Sequence, residues 1–274
     1  ETTYLPQGMG DWAHSMTAKA GGLADVSAAL INSLFDLGAD VHVALPDYRL
    51  MFDSQMDPIL RKQRQMIRSR MPNDRIHLAE DRAFFYLPNV YSSHGLENMH
   101  VSLAFQREVI NHIVPWVKPD LIHCNDWMTG LIPAMSRRME IPCLFTIHNI
   151  GYQGLFPREK LPACGLPPET YHPEGVEYWG KISLLKAGIV YSEAVTTVSP
   201  TYSREIQTSE FGLGMEGILR NKSAALHGIL NGADYSVWDP AIDPHIASKY
   251  DSDHLSEKIA NKAALLKETG LESS

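Results

Sequence analysis

The chain has 274 residues, 44% hydrophobic and 20% charged, with 24 Lys and Arg against 32 Asp and Glu for a net charge of −8. Such a length and composition allow a large apolar core. The acidic balance argues against nucleic acid or an anionic membrane as a partner, since both need a basic surface.

The three cysteines, Cys124, Cys143 and Cys164, are too few and too far apart for a disulfide framework or a metal-binding pair, which points to a reducing compartment. No apolar run approaches the ~20 residues needed to cross a bilayer. The opening "ETTYLPQGMG" lacks the basic and apolar regions of a signal peptide.

In chain order, either a short, degenerate first strand lies around residues 3–5 or the chain starts inside its natural sequence. Gly21 and Gly22 then precede a helix whose stripe is Leu23, Val26, Leu30, Leu34 and Leu37, with Gly38 as its C-terminal cap. The two glycines make either a tight turn or an open approach to a helix N-terminus, where an anion is favoured. Residues 41–45 read as a buried strand, and 76–80 and 83–87 as two strands that could pair antiparallel. A helix follows with Val101, Phe105, Val109, Ile113 and Trp116 on one face, ending near Pro115. Strands at 120–124, 143–147, 194–198 and 227–231 alternate with helices at 127–139, 181–192 and 200–207, and a last helix covers 252–270.

This alternation predicts an α/β fold, a Rossmann-like parallel sheet with helices on both faces. In an open parallel sheet ligands bind beyond the carboxyl ends of the strands. The residues just past those ends are Asp47 and Tyr48, Asn125 and Asp126, His148 and Asn149, Ser199, and Gly232 and Asp234. Each alone suits a helix cap or a polar loop. Together with Gly21 and Gly22 they suggest one lined edge.

Other motifs carry less. "GLGMEG" (212–217) matches the dinucleotide fingerprint but follows no apolar strand, so it reads as a glycine-rich surface loop. The twelve His show no metal-ligand spacing, and no Gly-x-Ser-x-Gly elbow occurs. Tyr178-Trp179 could stack on a sugar ring or belong to a core or an interface.

Five segments in order, "KAGGLADV" (19–26), "HCNDWMTGLIPA" (123–134), "FTIHNIGYQGLFP" (145–157), "LLKAGIVYSEAVTTVSPTYSREI" (184–206) and "GILNGADYSVWDP" (228–240), resemble the bacterial glycogen and plant starch synthases. The resemblance implies a retaining glucosyltransferase that moves glucose from ADP-glucose to the non-reducing end of an α-1,4-glucan. It implies the N-terminal, acceptor-side half of a GT-B fold as one domain over 1–274, with a C-terminal nucleotide-binding domain as its partner. It also implies no metal and no resident cofactor, a bacterial cytoplasm or plastid stroma as the location, and an isolated half without activity.

Carried over by position, the resemblance places Lys19, Gly21 and Gly22 at the donor diphosphate and Asp25 toward the acceptor. Asp126 and His148 become the catalytic pair, with His148 at the transferred glucose. Asn149 and Asn231 contact substrate. Asn125 stands where the family commonly has His, and the segment 87–98 is shorter than the family's loop. Two other readings are a non-catalytic glucan-binding domain of the same fold and a nicotinamide-dependent oxidoreductase using "GLGMEG". A strand before Gly212 would favour the latter.

Overall fold

The computed structural model describes residues 17–55, 58, 75–235 and 238–271. The expected first strand, residues 3–5, lies outside that set. The chain divides into two compact units, Glu1–Asn231 and Gly232–Ser274.

In the first unit, α1 (Gly22–Asp36) leads to β1 (Val43–Pro46), α2 (Arg49–Gln55), β2 (Ile76–Ala79) and the short α3 (Arg82–Phe85). Next come α4 (Gly95–Glu108), β3 (Ile122–Asn125), α5 (Ile132–Ser136) and β4 (Cys143–Ile147). A small insertion holds β5 (Leu155–Pro157), β6 (Glu177–Tyr178) and β7 (Lys181–Ser183). The unit closes with α6 (Leu184–Tyr191), β8 (Ala194–Thr197), α7 (Pro200–Glu205), α8 (Glu216–Asn221) and β9 (Leu226–Gly228). The second unit carries α9 (Lys258–Thr269), and Asn261 exchanges two hydrogen bonds with the Ser248 backbone, at 2.8 and 2.7 Å.

The α/β class is as expected, and the strands outside the small insertion are parallel. They form two sheets rather than one: β1 with β2, and β3-β4-β8-β9. A cavity of about 630 Å³ is lined by Val43 and Leu45 of β1, Ile122 and Cys124 of β3, Leu23 and Leu30 of α1, and Phe105 of α4. The α1 stripe is therefore not buried as a whole. The helix buries Ala24 and Ala28 instead, and Leu37 is 83% exposed. Gly38 does close the helix, with φ at +83° and its N–H donating to the Phe35 carbonyl at 2.9 Å.

Four local expectations fail for identifiable reasons. Residues 82–85 are helical because the Asp81 side chain accepts the Ala83 N–H at 2.8 Å and caps the turn, and Phe84 is buried edge-on to Tyr48. β2 pairs parallel with β1 instead. The helix after Gly95 runs on through a π turn, Val109–Ile113, which shifts its phase. Val114 is then buried and Trp116 is 80% exposed. The helix expected over 127–139 is broken near Gly130, where a Cβ would sit 1.9 Å from the Leu184 carbonyl oxygen. In the segment 181–192, Ser183 ends β7 and caps α6 by accepting the Lys186 N–H. The antiparallel sheet β5-β7-β6 was not anticipated, because its strands hold only two or three residues each.

The main core lies where α6 packs on the four-stranded sheet, around Phe145, Ile147, Leu185, Ile189 and Val195. The three cysteines are free and buried, and burial pushes the Cys164 thiol up to about 11. Gly188 allows the close approach of helix to sheet, since a Cβ there would lie 2.3 Å from the Phe145 ring. Gly188→Ala should cost about 1–3 kcal/mol by overpacking. Gly217→Ala, where a Cβ on α8 meets nothing within 4 Å, should be neutral or slightly stabilising. Urea unfolding of the two variants checks the contrast.

Candidate functional site

The carboxyl ends of β3 and β4 are joined by one side chain. Asp126 follows β3 with φ 61° and ψ 179°, a backbone conformation suited to glycine, and it is only 5% exposed. Its N–H donates to the Thr146 carbonyl at 2.9 Å. Its carboxylate accepts the Trp127 N–H at 2.9 Å through one oxygen and the Asn149 N–H at 3.3 Å through the other. Asp126 is thus a helix cap, as its position alone suggested. It is also the tie between the β3 loop and the β4 loop.

That tie brings Asn125, Asp126, His148 and Asn149 together, while Lys19, Gly21, Gly22 and Asp25 belong to the β1–β2 side. His148 Nε2 lies 3.0 Å from Asn125 Oδ1, a separation at which a protonated Nε2 donates to the amide oxygen. Asn125 therefore has a defined task here: it orients the imidazole. The Asn149 side chain accepts the Gly151 N–H at 2.9 Å and shapes the loop beyond. The Tyr202 hydroxyl, from α7, accepts the Ile150 N–H at 3.1 Å. Burial raises the Tyr202 pKa, which keeps the phenol neutral. Ser199 is the α7 cap, accepting the Thr201 and Tyr202 N–H groups. Asn231, exposed, lies three residues past β9, and the neighbouring Ile229 N–H is held by the Thr197 carbonyl at 2.8 Å.

Under this edge lies a polar row that sequence reading missed. His123 Nε2 is 2.7 Å from Thr146 Oγ1, which is 2.6 Å from Thr196 Oγ1, across three adjacent strands. Burial lowers the His123 pKa and favours the neutral ring. The available signal was threonine inside "CLFTI" and "AVTTV", strands that a two-sided burial would make wholly apolar.

The glycine loop lies beside β1 and β2, where Ala18 is buried in the cluster that holds Leu45, Tyr48 and Ala79. The chain bends at Ala20 and Gly21 before the helix, but Gly21 is extended and neither Gly21 nor Gly22 has a positive φ, so the bend does not itself require glycine. A Cβ on either would meet nothing within 4 Å. Lys19 differs from expectation. It is not an isolated positive charge, because its Nζ pairs with the Asp25 carboxylate at 2.8 Å, both groups being about half exposed. Asp47, past β1, is fully buried and accepts from Arg49 Nε at 2.7 Å.

The "GLGMEG" loop follows turns after α7, with no strand before Gly212, which removes the dinucleotide reading. Among the described residues no group of three or more His, Cys, Asp or Glu could hold a metal ion. Nor is any helix there long and apolar enough to cross a membrane.

Residues 12–221 match the family model described as "Starch synthase catalytic domain". The chain is 40% identical over 276 residues to the glycogen synthase of Moorella thermoacetica, covering 93% of this chain and 56% of that protein. It is 39% identical over 279 residues to the glycogen synthase of Aromatoleum aromaticum, with the same two coverages. The fold is similar to the catalytic domain of Starch Synthase IV from Arabidopsis thaliana bound to ADP and acarbose, with a TM-score of 0.73, 27% identity, and 93% and 57% of the two chains covered. The chain thus spans about half the length of the curated relatives it matches. With its parallel strands, its clamped carboxyl edge and a match over most of its length, the chain belongs to the starch synthase catalytic domain family.

Proposed function

We propose that this chain forms the acceptor-side wall of a site that transfers glucose from ADP-glucose to the non-reducing end of an α-1,4-glucan, with retention at the anomeric carbon. The observation that carries the reading is the clamped pair of loops after β3 and β4 in a chain of this family. The similar starch synthase IV domain, bound to ADP and acarbose, supports the two ligand classes. A second domain supplies the opposite wall and grips the adenine, so that closure excludes water. The chain alone is then inactive in transfer, and the proposal includes no metal and no resident cofactor.

In this reading the diphosphate approaches the open backbone at Gly21 and Gly22, ahead of α1, where exposed N–H groups and the helix dipole favour an anion. Lys19 swings from Asp25 to the phosphate, and Asp25 is left facing the acceptor. An exposed ion pair is worth about 0–1 kcal/mol, so a doubly charged ligand can break it. His148, oriented by Asn125, holds the glucose as positive charge develops at its anomeric carbon. Its role is orientation rather than proton transfer. Asn149 and Asn231 complete the sugar contacts.

Two substitutions in the two-domain enzyme test these roles. Lys19→Gln should weaken ADP-glucose binding roughly tenfold, a charge-assisted contact of about 1.5–3 kcal/mol less the cost of leaving Asp25. Isothermal titration measures this, and unchanged affinity would exclude Lys19 from the diphosphate. His148→Ala should cut turnover tenfold or more while the melting temperature holds. Wild-type turnover in a folded variant would remove His148 from the reaction, and loss of folding would make it a structural residue.

A further inference from the structure

Two features stand apart from the transfer site: the Tyr178-Trp179 pair and the glycine loop at 212–217. They touch each other. β6 and β7 are joined by Trp179 and Gly180, both left-handed, with φ of 48° and 79°. Two such residues make the hairpin turn whose twist suits the flanking strands, and the first of them is ordinarily Asn, Asp or Gly. Here it is a bulky tryptophan, which that backbone disfavours, and its side chain is presented to solvent at 82% exposure. The Glu177 carboxylate accepts the Gly180 N–H at 2.7 Å and fixes the turn.

The loop is built against this tip. The Tyr178 ring stands edge-on to the indole, with centroids 6.5 Å apart at 82°. Its hydroxyl donates to the Leu213 carbonyl, which also accepts from Gln153 Nε2 at 3.0 Å. A Cβ on Gly214 would lie 2.4 Å from the Tyr178 hydroxyl and 3.4 Å from Trp179 Nε1. The glycine in "GLGMEG" is therefore explained by aromatic contact rather than by a phosphate.

We infer that this braced hairpin tip is a docking platform for an uncharged α-glucan chain, outside the transfer site. The identity of the polymer rests on the proposed function. An exposed indole on a fixed turn offers a flat apolar face to the C–H face of a pyranose, while its edge and the neighbouring carboxylate meet hydroxyls. Lys181 offsets Glu177 at the tip, so nothing there selects for an anion. The platform also continues the transfer edge. The segment carrying His148 and Asn149 runs through the exposed Tyr152 to Gln153, which holds the Leu213 carbonyl.

The test is affinity electrophoresis of the 274-residue chain in native gels containing glycogen. The wild-type chain should be retarded. Trp179→Ala should lower the apparent affinity at least fivefold, and Trp179→Tyr should keep most of it. Gly214→Ala, which displaces the pair without removing it, should also weaken retardation. Circular dichroism confirms folding, and if Trp179→Ala does not fold, Gly214→Ala and Trp179→Tyr decide. A folded Trp179→Ala chain retarded like wild type would overturn the platform, as would no retardation of the wild type. A Trp179 effect confined to association with a second protein domain would overturn it as well. Trp179-dependent retardation of the chain, together with a two-domain enzyme that transfers no glucose from ADP-glucose, would leave the platform standing and remove the proposed reaction.

Discussion

The carboxylate of Asp126 holds the ends of two parallel strands in one geometry, and the rest of the edge depends on it. A residue at φ 61° and ψ 179° costs about 1–3 kcal/mol unless it is glycine. The two backbone N–H groups it accepts are charge-assisted bonds, each worth about 1.5–3 kcal/mol, so together they can offset the strain. Moving Asn149 away from Asp126 would move His148 away from Asn125, because the two residues are consecutive. The pairing of β3 with β4 continues through the Asp126 N–H to the Thr146 carbonyl, so the loops are fixed relative to the sheet as well as to each other. In such a site the groups are positioned before a ligand arrives, which is where orientation contributes to rate.

Charge is handled locally in a chain of net charge −8. Lys19 and Asp25 neutralise one another at the start of α1, so in the proposed function the helix dipole and the open glycine backbone are what attracts the diphosphate. Lys186, which is buried, and Lys222, which is partly buried, serve structure. Lys186 donates to the Glu177 carbonyl at 2.6 Å, and Lys222 to the Ile189 and Val190 carbonyls near the end of α6 at 2.8 and 3.0 Å. Each satisfies carbonyls that a helix end or a turn would otherwise leave unpaired. Burial lowers the pKa of both lysines.

The parallel strands were legible because buried runs such as "CLFTI" and "VHVAL" stand out against polar loops. The positions after them, Asp126 and His148, followed from that alone. What stayed hidden depends on pairs far apart in sequence. Asn125 meets His148 only because β3 and β4 pair with Asn125 opposite Thr146, a register no local pattern encodes. The aromatic run at 83–87 resembles a strand, yet the cap at Asp81 decides for a helix. The π turn after Glu108 adds a residue to one turn and moves Trp116 out of the core, which no fixed period anticipates. The break at Gly130 reflects the Leu184 carbonyl, fifty-four positions along the chain.

The measurement that bears most directly on this account is the rate of the proposed glucose transfer by Asp126→Asn in the proposed two-domain enzyme. An asparagine keeps the size and shape of the side chain but replaces one accepting oxygen with a donating amide. It can then satisfy the Trp127 N–H or the Asn149 N–H, not both. The account predicts a fall in turnover of at least tenfold with a melting temperature within a few degrees of wild type. A folded Asp126→Asn enzyme that transfers glucose at the wild-type rate would contradict it, because the edge would then work without the tie that assembles it.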